Sequence, residues 1–281
     1  MSRQTAAGAV RIDALFATRK AEGKKVLVAY LCVGDPSEAE SLDLARAAVR
    51  VGADVLELGV PFSDPSADGP AIARASQRAI AAGGGLDGAL RVAKALRDDA
   101  VTRATPIVLF GYYNPLFVRG EARAVDAAAD AGVDALLVVD LPLEEAAPLR
   151  DAAAKRGLAV VPLLAPTSAA DRVADVKTAS ATWPLGFVYY VSVTGVTGTT
   201  AVRADEASSA AAALRATLGL PVVVGFGIDS SDKARSAAAN VDGVVVGTAL
   251  VRRIEDGKTP EDRKRAVSDL IADLRAGLDR T

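Results

Sequence analysis

Short runs of β-branched and aliphatic residues recur every ~20–50 positions along this chain, and alanine-rich stretches of helical spacing separate them. The runs are 26–30, 55–59, 107–110, 135–139, 159–162, 187–191, 222–224 and 244–246. They are nearly continuous in their apolar character, which marks strands buried on both faces and hence a parallel sheet. Between them, Ser41 to Val51 and Glu145 to Lys155 show amphipathic helical periodicity. Ser37 before Glu38 and Glu40, and Ser230 before Asp232, signal helix starts. About eight such βα units in one chain predict a (β/α)8 TIM barrel. A doubly wound sheet of the same size is the alternative. An extra N-terminal helix is expected over Asp13 to Gly23, and no linker or composition break divides residues 1–281, so one domain is expected. The longest connection without a strand, from Pro61 to Pro106, is expected to hold a loop over Phe62 to Pro70 and then a helix. Long βα loops in barrels are commonly functional.

Composition narrows the chemistry. The apolar share of 51% supports a large core, and the net charge of −2 leaves no basic excess for nucleic acid. A single cysteine, Cys32, permits no intrachain disulfide, which fits a reducing compartment. No apolar run approaches the roughly 18 residues of a membrane span, and the N-terminal stretch lacks a signal-peptide core, so a cytoplasmic protein is expected. Histidine is absent altogether. That removes the commonest general base, the commonest metal ligand and every nucleophile paired with histidine, and no metal site is expected. Acid–base work falls to Asp, Glu, Tyr, Lys or Cys.

Alternate residues of a barrel strand point inward. In the run Val55-Leu56-Glu57-Leu58-Gly59, leucines facing the helices put Glu57 inside, near the strand's C-terminal end. Barrel enzymes do their chemistry at that end. A buried carboxyl has its pKa raised by desolvation, which suits proton transfer near neutral pH. The structural alternative is a glutamate paired with a buried Arg or Lys, but the C-terminal halves of the predicted strands hold neither. Asp64 and Asp68 follow in the loop, where single aspartates are often turn formers or helix caps. Their place beside Glu57 favours function.

Glycines at Gly225-Phe226-Gly227 and Gly247-Thr248 end the last two predicted strands, where barrels often bind phosphate with backbone amides and a helix N-terminus. A further glycine- and hydroxyl-rich loop, Gly195 to Thr200, has the composition of an active-site lid. Tyr30, Tyr112 and Tyr189 fall toward strand ends and could line a pocket for a flat apolar group, although core packing serves each equally well.

The stretch Leu56-Glu57-Leu58-Gly59-Val60-Pro61-Phe62-Ser63-Asp64-Pro65 with Ala67-Asp68-Gly69-Pro70 closely resembles the signature of the tryptophan synthase alpha chain family. Gly34-Asp35-Pro36, Tyr113-Asn114-Pro115, Asp140 with Pro142, Gly195-Val196-Thr197-Gly198, Gly225-Phe226-Gly227 and Gly247 follow in the family's order, so the resemblance covers nearly the whole chain. It implies a retro-aldol lyase that cleaves indole-3-glycerol phosphate to indole and glyceraldehyde 3-phosphate. By the same resemblance Glu57 and Asp68 are catalytic. Tyr30 and Tyr112 contact the indole, Tyr189 lies near the glutamate, and Thr197 is the lid threonine. Gly198, Gly225, Phe226, Gly227, Gly247 and Thr248 hold the phosphate. Asp64 and Asn114 match positions near the beta subunit, the partner that carries pyridoxal phosphate and receives indole in an alpha2beta2 heterotetramer; this chain is similar to the cofactor-free half. Cys32, Ser66 and Ala73 depart from the family's usual residues without removing either carboxylate.

Two other functions compete. Another phosphate-binding barrel enzyme, an isomerase or synthase, would share the terminal glycines but would not need the 62–70 loop. A regulatory subunit kept only to activate a partner could have lost its catalytic groups, yet both carboxylates are present. A Schiff-base aldolase would need a lysine inside the barrel and a metal aldolase would need histidines. Carboxylate catalysis is what the residues leave.

Overall fold

The computed structural model describes residues 8–168, 170–191, 204–225 and 227–280, and the side chains of 204–208 stand outside that description. Its strands are β1 (Val26–Cys32), β2 (Val55–Gly59), β3 (Ile107–Gly111), β4 (Ala135–Val138), β5 (Ala159–Val160), β6 (Leu163–Leu164), β7 (Val188–Val191), β8 (Val222–Gly225) and β9 (Gly243–Val246). Its helices are α1 (Gly8–Ala21), α2 (Glu38–Arg50), α3 (Pro70–Ala81), α4 (Leu86–Asp98), α5 (Tyr113–Arg119), α6 (Glu121–Asp130), α7 (Ala147–Lys155), α8 (Ala170–Ser180), α9 (Ala204–Leu218), α10 (Ser231–Ala238), α11 (Thr248–Asp256) and α12 (Pro260–Leu278). No helix among the described residues is long and apolar enough to cross a membrane.

All strand pairs are parallel, in the order β5-β4-β3-β2-β1-β9-β8-β7-β6. The two ends of that order are pieces of one segment, 159–164. β5 pairs with β4, and β6 pairs with β7. The sheet therefore closes on itself, with β5 and β6 sharing one of eight strand positions in a TIM barrel. Sequence reading expects a single strand here. Pro162 divides it because its ring nitrogen has no N–H for the ladder, while its carbonyl still accepts from the Tyr189 amide at 3.0 Å.

Side chains sort by parity. Val26, Val28, Val55, Val108, Leu137, Val223 and Val245 fill the cylinder. Leu27, Leu31, Leu56, Leu58 and Leu136 face the helix layer. α1 adds Ile12 and Phe16 to the inner cluster, Phe16 lying 5.5 Å from Phe187, so this helix plugs the bottom of the barrel. It starts five residues before the expected Asp13.

The bottom rim uses one device three times. An aspartate just before a strand accepts an amide at the start of the neighbouring strand and pairs with arginine. Asp54 takes the Leu27 amide at 2.8 Å, with Arg19 and Arg275. Asp134 takes the Ile107 amide at 2.7 Å, with Arg97 and Arg11. Asp242 takes the Val222 amide at 2.9 Å, with Arg215.

The connection from Pro61 to Pro106 holds two helices, α3 and α4, where one was expected, because the run Gly83-Gly84-Gly85 ends the first. Ser37 caps α2 as expected, its hydroxyl accepting from the Glu40 amide at 3.2 Å. Ser230 sits at the α10 cap position without a side-chain bond. Asp273 of α12 serves that end instead, accepting from the Ser231 amide at 2.8 Å. α7 begins at Ala147, where Pro148 suits a first turn, two residues later than the periodicity suggests.

Candidate active site

Glu57 stands in β2 with the inward parity of Val55 and is 1% exposed. Its Oε1 is buried and has no hydrogen-bond partner, and none of the described arginines or lysines pairs with it. Burial alone pushes its carboxyl up to about 8. The group is therefore mostly protonated at neutral pH, a donor held ready at the barrel mouth. The alternative of a structural glutamate paired with a cation does not fit this environment.

Asp68 is half-buried in the 62–70 loop. Tyr112 anchors that loop. Its hydroxyl accepts from the Ala67 amide at 2.9 Å, its ring stacks on Phe62 at 4.9 Å, and it hydrogen-bonds the Asp68 carboxyl. Burial pushes Asp68 up to about 6, with the Tyr112 bond acting in the opposite direction. Near pH 7 the two acids thus differ: Asp68 mostly ionised, Glu57 mostly not. Their environments set the two carboxyls in different protonation states near neutral pH. Asp64, by contrast, is exposed.

A cavity of about 120 Å³ brings the rest together. Tyr30, Glu57 and Tyr189 line one part, and Gly225, Gly227, Gly247 and Thr248 line another. Tyr30 meets Phe110 edge to face at 5.3 Å. Burial holds the Tyr30 and Tyr189 hydroxyls well above their ordinary value, and Glu57 and Asp68 push both the same way. Both carboxyls therefore lie within electrostatic reach of both tyrosines. Two glycines make the rings fit. A Cβ on Gly59 would lie 2.3 Å from the Tyr30 hydroxyl, and one on Gly225 would lie 2.9 Å from that of Tyr189. α11 starts at Thr248 with Gly247 as its cap residue, so a helix N-terminus opens on the glycine end of the cavity. Such an end offers unpaired amides and partial positive charge to an anion.

Tyr112 is buried beside the Asp68 loop and does not line this cavity. Thr197, Gly198 and Phe226 lie outside the described residues. Cys32 is buried with its sulfur 3.9 Å from the Ser76 hydroxyl, and burial pushes the thiol up to about 12, so it carries no thiolate. Asn114 is exposed on α5, on the same helix as Phe117 and Val118, which are 63% and 74% exposed.

Sequence reading did not single out Phe110, Ile72 or Val245, which also line the cavity. Phe110 and Val245 were within reach of the parity argument that placed Glu57: Phe110 shares the inward set with Val108. Ile72 had no such signal, because its position depends on how α3 lands on the barrel mouth.

The family model described as tryptophan synthase alpha chain matches residues 16–278. The chain is similar to the tryptophan synthase alpha chain of Citrifermentans bemidjiense, 48% identical over 245 residues, covering 87% of this chain and 89% of that protein. It is similar to that of Xanthomonas euvesicatoria pv. vesicatoria at 44% identity over 271 residues, covering 96% and 98%. Among solved structures, tryptophan synthase subunit alpha from Legionella pneumophila superposes with a TM-score of 0.88 at 36% identity, covering 96% of this chain and 99% of that one.

Proposed function

This chain belongs to the tryptophan synthase alpha chain family, the subunit that cleaves indole-3-glycerol phosphate in tryptophan biosynthesis, and we propose that Glu57 and Asp68 carry out the cleavage. The observation that carries this assignment is Glu57 itself: a carboxyl kept protonated by burial, without a cation, in the same cavity as a glycine-lined helix N-terminus.

In the first step the Glu57 carboxyl gives its proton to indole C3, forming an indolenine with positive charge on the ring nitrogen. In the second, the Glu57 carboxylate takes the proton of the adjacent glycerol hydroxyl. The carbon–carbon bond breaks, its electron pair restores the indole ring, and the hydroxyl carbon becomes the aldehyde of glyceraldehyde 3-phosphate. Asp68 accepts a hydrogen bond from the indole N–H while that charge develops. Each role contributes about 10²- to 10⁴-fold in rate. Tyr30 and Tyr189 flank the indole, and Gly225, Gly227, Gly247 and Thr248 hold the phosphate, with Gly198 and Phe226 completing its cradle and Thr197 acting in the lid. Tyr112 acts by holding the Asp68 loop through Ala67 and Asp68.

The partner in this reading is the beta subunit, which carries pyridoxal phosphate, so this chain works without a cofactor of its own in an alpha2beta2 assembly. Asp64 and Asn114 belong to the contact surface. Both are exposed, and Phe117 and Val118 place apolar area beside Asn114.

Indole release from indole-3-glycerol phosphate, measured with purified chain and increasing beta subunit, tests the proposal. Slow cleavage by the chain alone, accelerated by partner, is expected. No cleavage under either condition overturns it in favour of a purely regulatory subunit.

A further inference from the structure

A second cavity, of about 230 Å³, opens where β4 and the 159–164 segment stop pairing. The ladder between them ends at Leu136 and Val160, and the chains then diverge toward α7 and α8. The cavity shares no lining residue with the one around Glu57. Its walls combine apolar side chains, among them Val138, Leu141, Leu143, Val160 and Leu163, with two guanidinium groups, Arg150 and Arg172.

Arg150 is unusual among the arginines of this chain. It is only 4% exposed, yet no described carboxylate pairs with it. Its Nε is buried without a hydrogen-bond partner, and its Nη1 reaches the Leu143 carbonyl only at 3.4 Å, beyond the normal N–H···O range. The guanidinium carbon lies over the Trp183 ring, 5.6 Å from its centre. Trp183 is itself fixed by its indole N–H on Asp151 at 2.7 Å. Burial pushes the guanidinium below its ordinary value, and no neighbouring acid counters the effect. A buried charge without a partner is costly to the fold. Arg172, half-buried, adds a second cation without a described acidic partner.

We propose that this cavity is a binding site for a small organic monocarboxylate with an apolar or aromatic body. The planar guanidinium carries parallel N–H groups for the two oxygens of a carboxylate, the geometry arginine matches best. The apolar side chains beside the arginines and the volume ask for more than a bare oxyanion. Asp140 also lines the cavity, with one oxygen accepting from the Tyr113 amide at 2.7 Å. Its charge favours a monoanion over a doubly charged phosphate.

Trp183 is the only tryptophan in the chain, so its fluorescence reports on this cavity. The full chain is titrated with benzoate, with benzyl alcohol, which keeps the ring but lacks the charge, and with inorganic phosphate, and binding is followed by Trp183 emission, because Trp183 covers Arg150 and does not line the Glu57 cavity, where phosphate or a ring could also bind. Saturable benzoate binding with a Kd of about 1 mM or tighter is expected, with no saturation by the other two probes in the same range. Arg172→Gln, at a half-buried position where the fold tolerates change, weakens benzoate at least tenfold, and Arg150→Met abolishes it. Absence of saturable benzoate binding overturns the proposal, as does benzoate affinity unchanged in Arg172→Gln or saturation by phosphate alone.

Discussion

At the scale of a single residue, the Glu57 carboxyl proposed to serve the chemistry works against the fold once it ionises. Its ordinary value is 4.5 and burial raises it to about 8. Between these limits the folded chain holds a proton that the unfolded chain has released, so stability falls as pH rises across that window. The contribution is fully present below 4.5 and lost as the pH passes through 8. At about 1.4 kcal/mol per unit, the effect is of order a few kcal/mol. Glu57→Gln cannot ionise. Its melting temperature relative to the original chain is therefore expected to rise by several degrees from pH 5 to pH 8.5, read by thermal unfolding at each pH. A difference independent of pH would mean that residue 57 is not buried as a neutral acid. Asp68 is less enclosed and carries a hydrogen bond from Tyr112, so its smaller shift leaves it ionised at neutral pH.

Elements were legible in the sequence where one local rule decided them. The strands around Val55 and Val108 read as buried because nearly every residue is apolar, and the inward aim of Glu57 followed from the leucines on either side. The N-terminal helix, the α2 cap at Ser37 and the glycines meeting at the top of the barrel were readable on the same local grounds. What escaped depends on partners distant in sequence. The division of the 159–164 strand reflects Pro162 meeting two neighbours at once. The start of α10 is held by Asp273, 42 residues further on, and not by Ser230. Ile72 reaches the cavity only because α3 folds back over the barrel mouth. The aspartates at the lower rim belong to this class too, since each joins a neighbouring strand to helices elsewhere in the chain. Asp54→Ala leaves the Leu27 amide without its acceptor and Arg19 and Arg275 without their carboxylate. It is expected to cost about 3 kcal/mol and to lower the melting temperature by at least ~6 °C while kcat stays unchanged, because the proposed catalytic carboxyls sit on the opposite rim. An unchanged melting temperature would show that the rim pairs contribute nothing.

The whole molecule divides its labour along the barrel axis. The lower rim is fastened by carboxylate–arginine pairs and plugged by α1. The upper rim keeps an acid without a cation, an anion-ready helix start and the Asp68 loop, a division of stability and chemistry common to barrels. The central claim is that the protonated Glu57 at that upper rim gives its proton to indole C3 and then takes the proton of the glycerol hydroxyl. Indole release from indole-3-glycerol phosphate in the presence of beta subunit, followed from pH 5 to pH 9 for the original chain and for Glu57→Gln, tests it most directly. The account predicts that kcat/KM rises through about 6 as Asp68 ionises and falls through about 8 as Glu57 loses its proton. It also predicts that a folded Glu57→Gln is at least ~10²-fold slower across the range. Turnover by Glu57→Gln close to that of the original chain, with the alkaline fall still in place, would contradict it.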